Sequence, residues 1–232
     1  MRRWALVLSL LAQVASLNFA SLKAQIAPTK PADVRELKAL VLQTLAPFGD
    51  PALDVTTEAK GAVDGFCKDL ERINPTSNPA TRGLANANGR WRVRYSDAPP
   101  PSNGALGPLR GAAFQTVDVR QKTYVNELSL FNGAVDIKLA ADFVSSGNDS
   151  LRVSFRTLTA TAFGFSFPRL NFAEGTERTW VLTYTDADVR IVRAGVDGGR
   201  STARELGIIG RDAGQKRDSY LFFMTRESIS ES

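Results

Sequence analysis

Gly89-Arg90-Trp91-Arg92-Val93-Arg94-Tyr95 alternates without a break, with Trp91, Val93 and Tyr95 on one side and three arginines on the other. A period of two with one dry and one wet face is the pattern of a half-buried β-strand. The same period recurs downstream in residues 114–119 and 123–131. In residues 135–143, Val135, Ile137, Leu139, Ala141 and Phe143 alternate with Asp136, Lys138 and Asp142. Leu151, Val153 and Phe155 then alternate with Arg152, Ser154 and Arg156, and further strands fit 179–185, 189–193 and 219–225. Asn132-Gly133 is a strong hairpin signal, and Ser146-Gly147-Asn148-Asp149 is the next turn. About eight strands joined by short turns, with no helix between them, predict a mainly β fold: an antiparallel up-and-down β-barrel, because closure removes exposed strand edges. A barrel of that size is filled by side chains or holds one small ligand. Alternation places Trp91, Val93, Tyr95, Val135, Ile137, Leu139, Phe143, Val153, Phe155, Trp180 and Leu182 inside, and a slip of one residue would invert the assignment.

Upstream of Gly89 the apolar period is helical. Val34, Leu37, Val41 and Leu45 share one face of a helix over 33–45, which Pro47, Gly49 and Pro51 end. Thr56 or Thr57 is a good N-cap for a second helix, with Glu58 in its first turn. Its apolar side is Ala59, Val63, Phe66, Cys67, Leu70 and Ile73, and Asn74-Pro75 stops it. Residues 74–88 read as a loop. The expected organisation is a leader (1–32), two helices and a linker (33–88), a barrel (89–226) and a short tail (227–232).

The 232 residues include no histidine and one cysteine, Cys67. That set cannot build an intramolecular disulfide, a Cys/His zinc site, a Ser-His-Asp or Cys-His catalytic group, or a His-ligated haem. Cys67 beside Phe66 reads as core. The net charge of +5 is misleading, because residues 1–32 carry Arg2, Arg3, Lys23 and Lys30 and no acid, leaving 25 basic and 24 acidic residues beyond them. No nucleic-acid partner is expected of a body so balanced. Met1-Arg2-Arg3, an apolar run of 14 residues and Val14-Ala15-Ser16 have the form of a cleavable signal peptide. Ser21, Lys23, Thr29 and Lys30 after it suit a plastid transit segment, although plain secretion fits these residues equally.

Few residues offer chemistry. Asp186 and Asp188 could share a proton or hold a metal, but aspartates between two strands more often bond their own backbone in a turn. Gly195 and Gly198-Gly199 lack the helix-opening Lys-Ser/Thr of a phosphate loop and read as a hairpin turn. Arg90, Arg92 and Arg94 fit a basic stripe for anionic headgroups and a solvated strand face equally well. The aromatic cluster Phe163, Phe165, Phe167 and Phe172 is hard to hide in a core and is the first candidate for a surface facing lipid or ligand.

Gly89-Arg90-Trp91 resembles the Gly-x-Trp of lipocalin-like barrels, in which the Trp closes one end beneath an Arg from a late strand; Arg226 suits that role. Three blocks extend the resemblance. Leu70-Glu71-x-x-Asn74-Pro75-Thr76-x-Asn78-Pro79 is followed by Asn88-Gly89-Arg90-Trp91-x-x-x-Tyr95. Thr183-Tyr184-x-Asp186-x-Asp188-x-Arg190-Ile191-x-Arg193 then precedes Gly198-Gly199 and a closing Leu221-Phe222-x-x-Thr225-Arg226. Together they resemble the plastid lipid-associated protein family (PAP, the plastid fibrillins). The resemblance implies a lipocalin-like barrel in the plastid, at plastoglobules or thylakoid membranes, that binds or stabilises apolar molecules such as prenylquinones, carotenoids or fatty acids. It brings no catalytic residues, cofactor or metal. The ligand set would be the inward row above, without Val135. Gly89, Asp186, Asp188, Arg190, Arg193 and Arg226 would be structural, the Asp/Arg pattern forming a strand-end ion-pair network. Two alternatives stand beside this reading: a coat on lipid surfaces whose barrel is full, and a small isoprenoid- or carotenoid-modifying enzyme using Asp186 or Asp188. The chain departs from the family in Pro99-Pro100-Pro101 and in residues 200–218, an expected surface excursion containing a Thr202-x-x-Glu205 capping box.

Overall fold

The computed structural model describes residues 33–195 and 219–227; the expected leader and the 200–218 excursion lie outside the described residues. Helix α1 (Val34–Leu45) buries Leu37, Val41, Thr44 and Leu45 along the expected stripe. Helix α2 (Thr57–Arg72) starts at Thr56, whose hydroxyl accepts the Ala59 N–H at 3.3 Å. Val63, Cys67 and Leu70 are fully buried, and burial pushes the Cys67 thiol far up, as suits a core residue. Ile73 departs from expectation: it sits at the C-cap and is exposed.

The strands are β1 (Gly89–Ser96), β2 (Ala105–Leu106), β3 (Leu109–Arg110), β4 (Ala112–Asp118), β5 (Thr123–Leu130), β6 (Val135–Ser145), β7 (Ser150–Ala162), β8 (Phe165–Ser166), β9 (Leu170–Asn171), β10 (Glu177–Thr185), β11 (Val189–Gly195) and β12 (Ser219–Arg226). Eight of them form an antiparallel ring in the order β1-β4-β5-β6-β7-β10-β11-β12, and β12 returns to pair with β1. The expected barrel is therefore present. Two small additions escaped the sequence pattern. Strands β2 and β3 form a separate hairpin. Strand β7 pairs with β10 only over residues 150–154, and β9 and β8 cover its remaining edge.

Bulges decide which side chains face inward. Val93 pairs with Met224 and Tyr95 with Phe223, so Arg94 is an extra residue on β1. This corrects the expectation that Tyr95 points inward: the bulge turns it to the outer face. Strand β10 does the same, since Leu182 pairs with Val192 and Tyr184 with Ile191, leaving Thr183 extra. Tyr95, Phe223, Ile191 and Tyr184 thus form one outer row over four strands, each at most 3% exposed. Helix α1 packs beside β1 and α2 beside β10, on this same side.

Polar ties hold the helices there. Arg193 grips Glu71 through two bonds (2.8 and 3.2 Å) and Asp64 at 2.9 Å. The bulged Thr183 donates to Glu71 at 2.8 Å, and its carbonyl accepts from the Asn74 amide at 3.0 Å. Lys38 reaches Asp186 at 2.5 Å and Asp188 at 3.3 Å. Asp186 also accepts the Tyr184 hydroxyl and the backbone N–H groups of Asp188 and Val189, at 2.9 and 2.8 Å for the backbone bonds. It is a turn-forming, ion-paired residue. The three arginines of β1 are likewise engaged, Arg90 with Glu127 and Arg92 and Arg94 with Asp50, so they form no free basic stripe.

The Gly89 end of the ring is clamped. Trp91 is fully buried and its indole N–H donates to the Ala87 carbonyl at 2.9 Å. The Arg226 guanidinium lies 4.1 Å from the Trp91 ring centroid, as the lipocalin-like resemblance implies, and donates to the carbonyls of Ala187, Asn88 and Asn86 at 2.6, 2.8 and 2.9 Å. Gly89 has φ +116°, and a Cβ there would stand 3.0 Å from the same guanidinium, which is why glycine opens this strand.

Two outcomes are expected in urea unfolding. Trp91→Ala should cost about 3–5 kcal/mol as a large buried aromatic, while Arg226→Met, which loses a solvent-exposed clamp, should cost about 1 kcal/mol. Acid should also weaken the fold. Burial raises the Asp64 and Asp186 carboxyls, but hydrogen bonds from Lys68 and Arg193 to Asp64, and from Lys38, Tyr184 and the turn amides to Asp186, outweigh it and hold both below the ordinary range. A lowered folded pKa gives stability that is complete above the unfolded value near 3.9 and is lost as pH falls through the folded one. Melts between pH 7 and pH 3 should therefore show the wild type losing stability below about pH 4, and Asp186→Asn losing less over the same interval.

Candidate functional site: the barrel interior and its open rim

Within the ring, Trp91, Val93, Phe143, Val153, Trp180 and Leu182 belong to one buried cluster, with Phe155 packed against it, as alternation predicts. This cluster is dense. The Tyr124 and Trp180 rings meet edge to face at 4.6 Å, and Trp180 stacks on Phe222 at 5.9 Å. At the opposite end Val135, Ile137 and Leu139 of β6 are only half-buried, while Leu128 and Leu130 across from them on β5 stay buried. The inner wall is thus buried on most strands and partly uncovered along the first half of β6.

Not every inward side chain is apolar. Residues paired directly across strands share a face, and Arg190 pairs with Met224, which pairs with Val93. Both neighbours are inner-cluster residues, so Arg190 faces inward and not, as expected, into a strand-end ion-pair network. Arg193, Asp186 and Asp188 do make ion pairs; Arg190 does not. It is 0% exposed, and Nε, Nη1 and Nη2 all lack a hydrogen-bond partner among the described residues. Burial pulls its pKa down to about 10, and the Tyr124 side chain interacts with it electrostatically. Its cross-strand neighbour Thr185 has an unpartnered buried hydroxyl, and both ends of the fully buried Gln115 amide are unpartnered too. Gln115 pairs with Trp91 on the inner face. Tyr124 is better served, because its hydroxyl donates to Asn126. The sequence did carry a signal for Arg190, since it lies in period with Val192 and Ala194. Arginine's strong preference for the surface hid it.

The open end carries the aromatic surface. Phe163, Phe165 and Phe167 are 71%, 77% and 57% exposed, as the sequence led us to expect of lipid-facing residues. Phe131, which sequence reasoning missed, joins them at 58% from the turn between β5 and β6. The Phe163 N–H donates to the Ala134 carbonyl at 2.6 Å, which holds the two turns together. Phe131 and Phe163 both have positive φ, at 52° and 50°. Bulky residues rarely adopt that conformation, and each instance costs on the order of 1 kcal/mol. Phe172 stands apart: it is half-buried, 6.0 Å from the inner Phe155 ring, and belongs to the wall more than to the rim.

The PAP_fibrillin family model matches residues 49–199, from the turn after α1 to just beyond β11. No curated protein and no solved structure matches the chain. The family match takes in α2, eleven of the twelve strands in full and the inward Arg190, and spans well over half the chain. The chain belongs to the PAP_fibrillin family, that of the plastid lipid-associated proteins.

Proposed function

We propose that this protein sits on lipid structures of the plastid, plastoglobules or thylakoids, through its phenylalanine rim, and takes one apolar molecule such as a prenylquinone, carotenoid or fatty acid into the open half of the barrel. It does so without catalysis. Residues 1–32 would deliver it. The observation that carries this reading is the coincidence of two features at one end of the ring. Four phenylalanines are exposed at the end of the ring where the inner side chains of β6 are only half-buried. An apolar rim on an apolar opening lets a hydrophobic chain pass from lipid to protein with little contact with water.

The inward residues of the open half, Ile137, Leu139 and Phe155, would line the path, and Trp91, Trp180 and Leu182 would form its floor. Asp186 favours the non-catalytic reading, because lysine, tyrosine and backbone amides already occupy its carboxylate.

Flotation with vesicles of neutral galactolipid tests the rim. Each phenylalanine moved from water into lipid supplies ~1.5–3 kcal/mol, so Phe163→Ser/Phe165→Ser/Phe167→Ser should lower the membrane-bound fraction at least about tenfold with an unchanged melting temperature. Undiminished flotation of the triple variant would sink the docking part of the reading.

A further inference from the structure

The reading above leaves the chemical class of the guest open, and the partnerless guanidinium of Arg190 narrows it. We propose that the barrel interior recognises a long-chain carboxylate, with the acid group paired to Arg190 and further hydrogen bonds from Thr185 and Gln115, and the hydrocarbon tail pointing to the open rim. This inference rests on the proposed cargo role.

Burying an unpaired charge is among the costliest arrangements in a folded chain, and the usual remedy is an opposite charge inside the same site. Among the described residues no side chain supplies one. By register the inward positions of the eight ring strands hold no aspartate or glutamate; Asp136, Asp142, Glu127 and Glu177 fall on the outer face. The inner wall is therefore cationic and waits for an anion. Arg190 offers its donors as a planar fork, the shape that matches the two oxygens of a carboxylate. Thr185 and Gln115 are the other two inner residues with unpartnered polar atoms, and both can donate.

The count of charges selects the acid class. One guanidinium neutralises one carboxylate and leaves a neutral buried pair. A prenyl diphosphate would bring two or three negative charges, more than the Arg190 guanidinium alone can pair. A neutral quinone or carotenoid would leave Arg190 as it is. Position agrees as well. Arg190 opens β11 on the clamped side of the ring, while the rim lies at the far end, where β6 begins and β7 ends. A guest with its acid at Arg190 runs its tail along the half-buried wall toward the lipid.

The full chain, purified free of lipid, is titrated with oleate, oleyl alcohol and farnesyl diphosphate, each below its micelle concentration, and binding is read by native mass spectrometry and by quenching of tryptophan fluorescence. The wild type should bind oleate at least about tenfold more tightly than the alcohol, and Arg190→Met should erase the difference by weakening oleate alone. That variant removes an unpaired buried charge, so it should melt no lower than the wild type. Gln115→Leu provides a second handle, with an expected few-fold loss for oleate and none for the alcohol. If acid and alcohol bind the wild type equally, or Arg190→Met keeps the preference, the carboxylate inference falls while the cargo role stands. Tighter binding of the diphosphate overturns the acid class. Binding of none of the three overturns both the inference and the cargo role, and leaves the rim to be judged by flotation alone.

Discussion

Everything in this molecule depends on the return of β12 to β1. Two strands separated by the whole length of the barrel must find each other, and the entropy lost in closing so long a loop has to be offset at the seam. The seam is built accordingly. Trp91 lies opposite Arg226 in the register, and the guanidinium stacks over the indole while reaching carbonyls on both sides of the closure. Without this pairing, β1 and β12 would be free edges and the inner row would be one face of an open sheet in water. With it, the inside becomes a space, and the questions of what fills it and where it opens acquire meaning.

The helices reinforce that seam. They cover the outer face of β1, β12, β11 and β10, the four strands that complete the ring, and the single-residue bulges at Arg94 and Thr183 make the cover fit. Each bulge rotates one tyrosine outward, so that a row of large side chains meets the helices. The Thr183 bulge also supplies a carbonyl for Asn74 and places its hydroxyl on Glu71. The Glu71-x-x-Asn74-Pro75-Thr76 and Thr183-Tyr184-x-Asp186 blocks of the sequence are thus two halves of one joint: the linker is fastened to the strand whose irregularity receives it.

Alternation alone made most of this fold legible. The helices and all eight ring strands follow from period, caps and turn residues, and the Trp91–Arg226 stack from the resemblance to lipocalin-like barrels. The misses share a physical cause, which is that period counts residues and a bulge adds one. Tyr95 is displaced from the inner face by one extra arginine that nothing in the local sequence marks. Arg190 was misplaced for a different reason. Its period with Val192 and Ala194 pointed inward, and the ordinary cost of burying a guanidinium argued outward more strongly. Phe131 escaped notice because Asn132-Gly133 signals a tight turn, and the side chain at a turn's shoulder follows from a backbone angle that sequence does not print. The rim phenylalanines 163, 165 and 167 were visible for the opposite reason: aromatic residues between small ones, with no return strand to cover them, have nowhere to hide.

The two ends of the ring carry opposite departures from good folding practice. At one end a cation is buried with no partner among the described residues; at the other, phenylalanines are exposed, two of them at turn positions that disfavour bulky residues. Each lowers stability, and neither helps close the barrel. Strain and unpaired groups persist where the surrounding structure over-determines them, and here the helix-covered, clamped ring does so. Taken singly, either departure has an unremarkable explanation, such as a buried water or a sticky surface. Placed toward opposite ends of one interior they describe a single axis, cationic at the clamped end and apolar at the far rim. That is the polarity of an amphiphile with its head in the protein and its tail toward lipid.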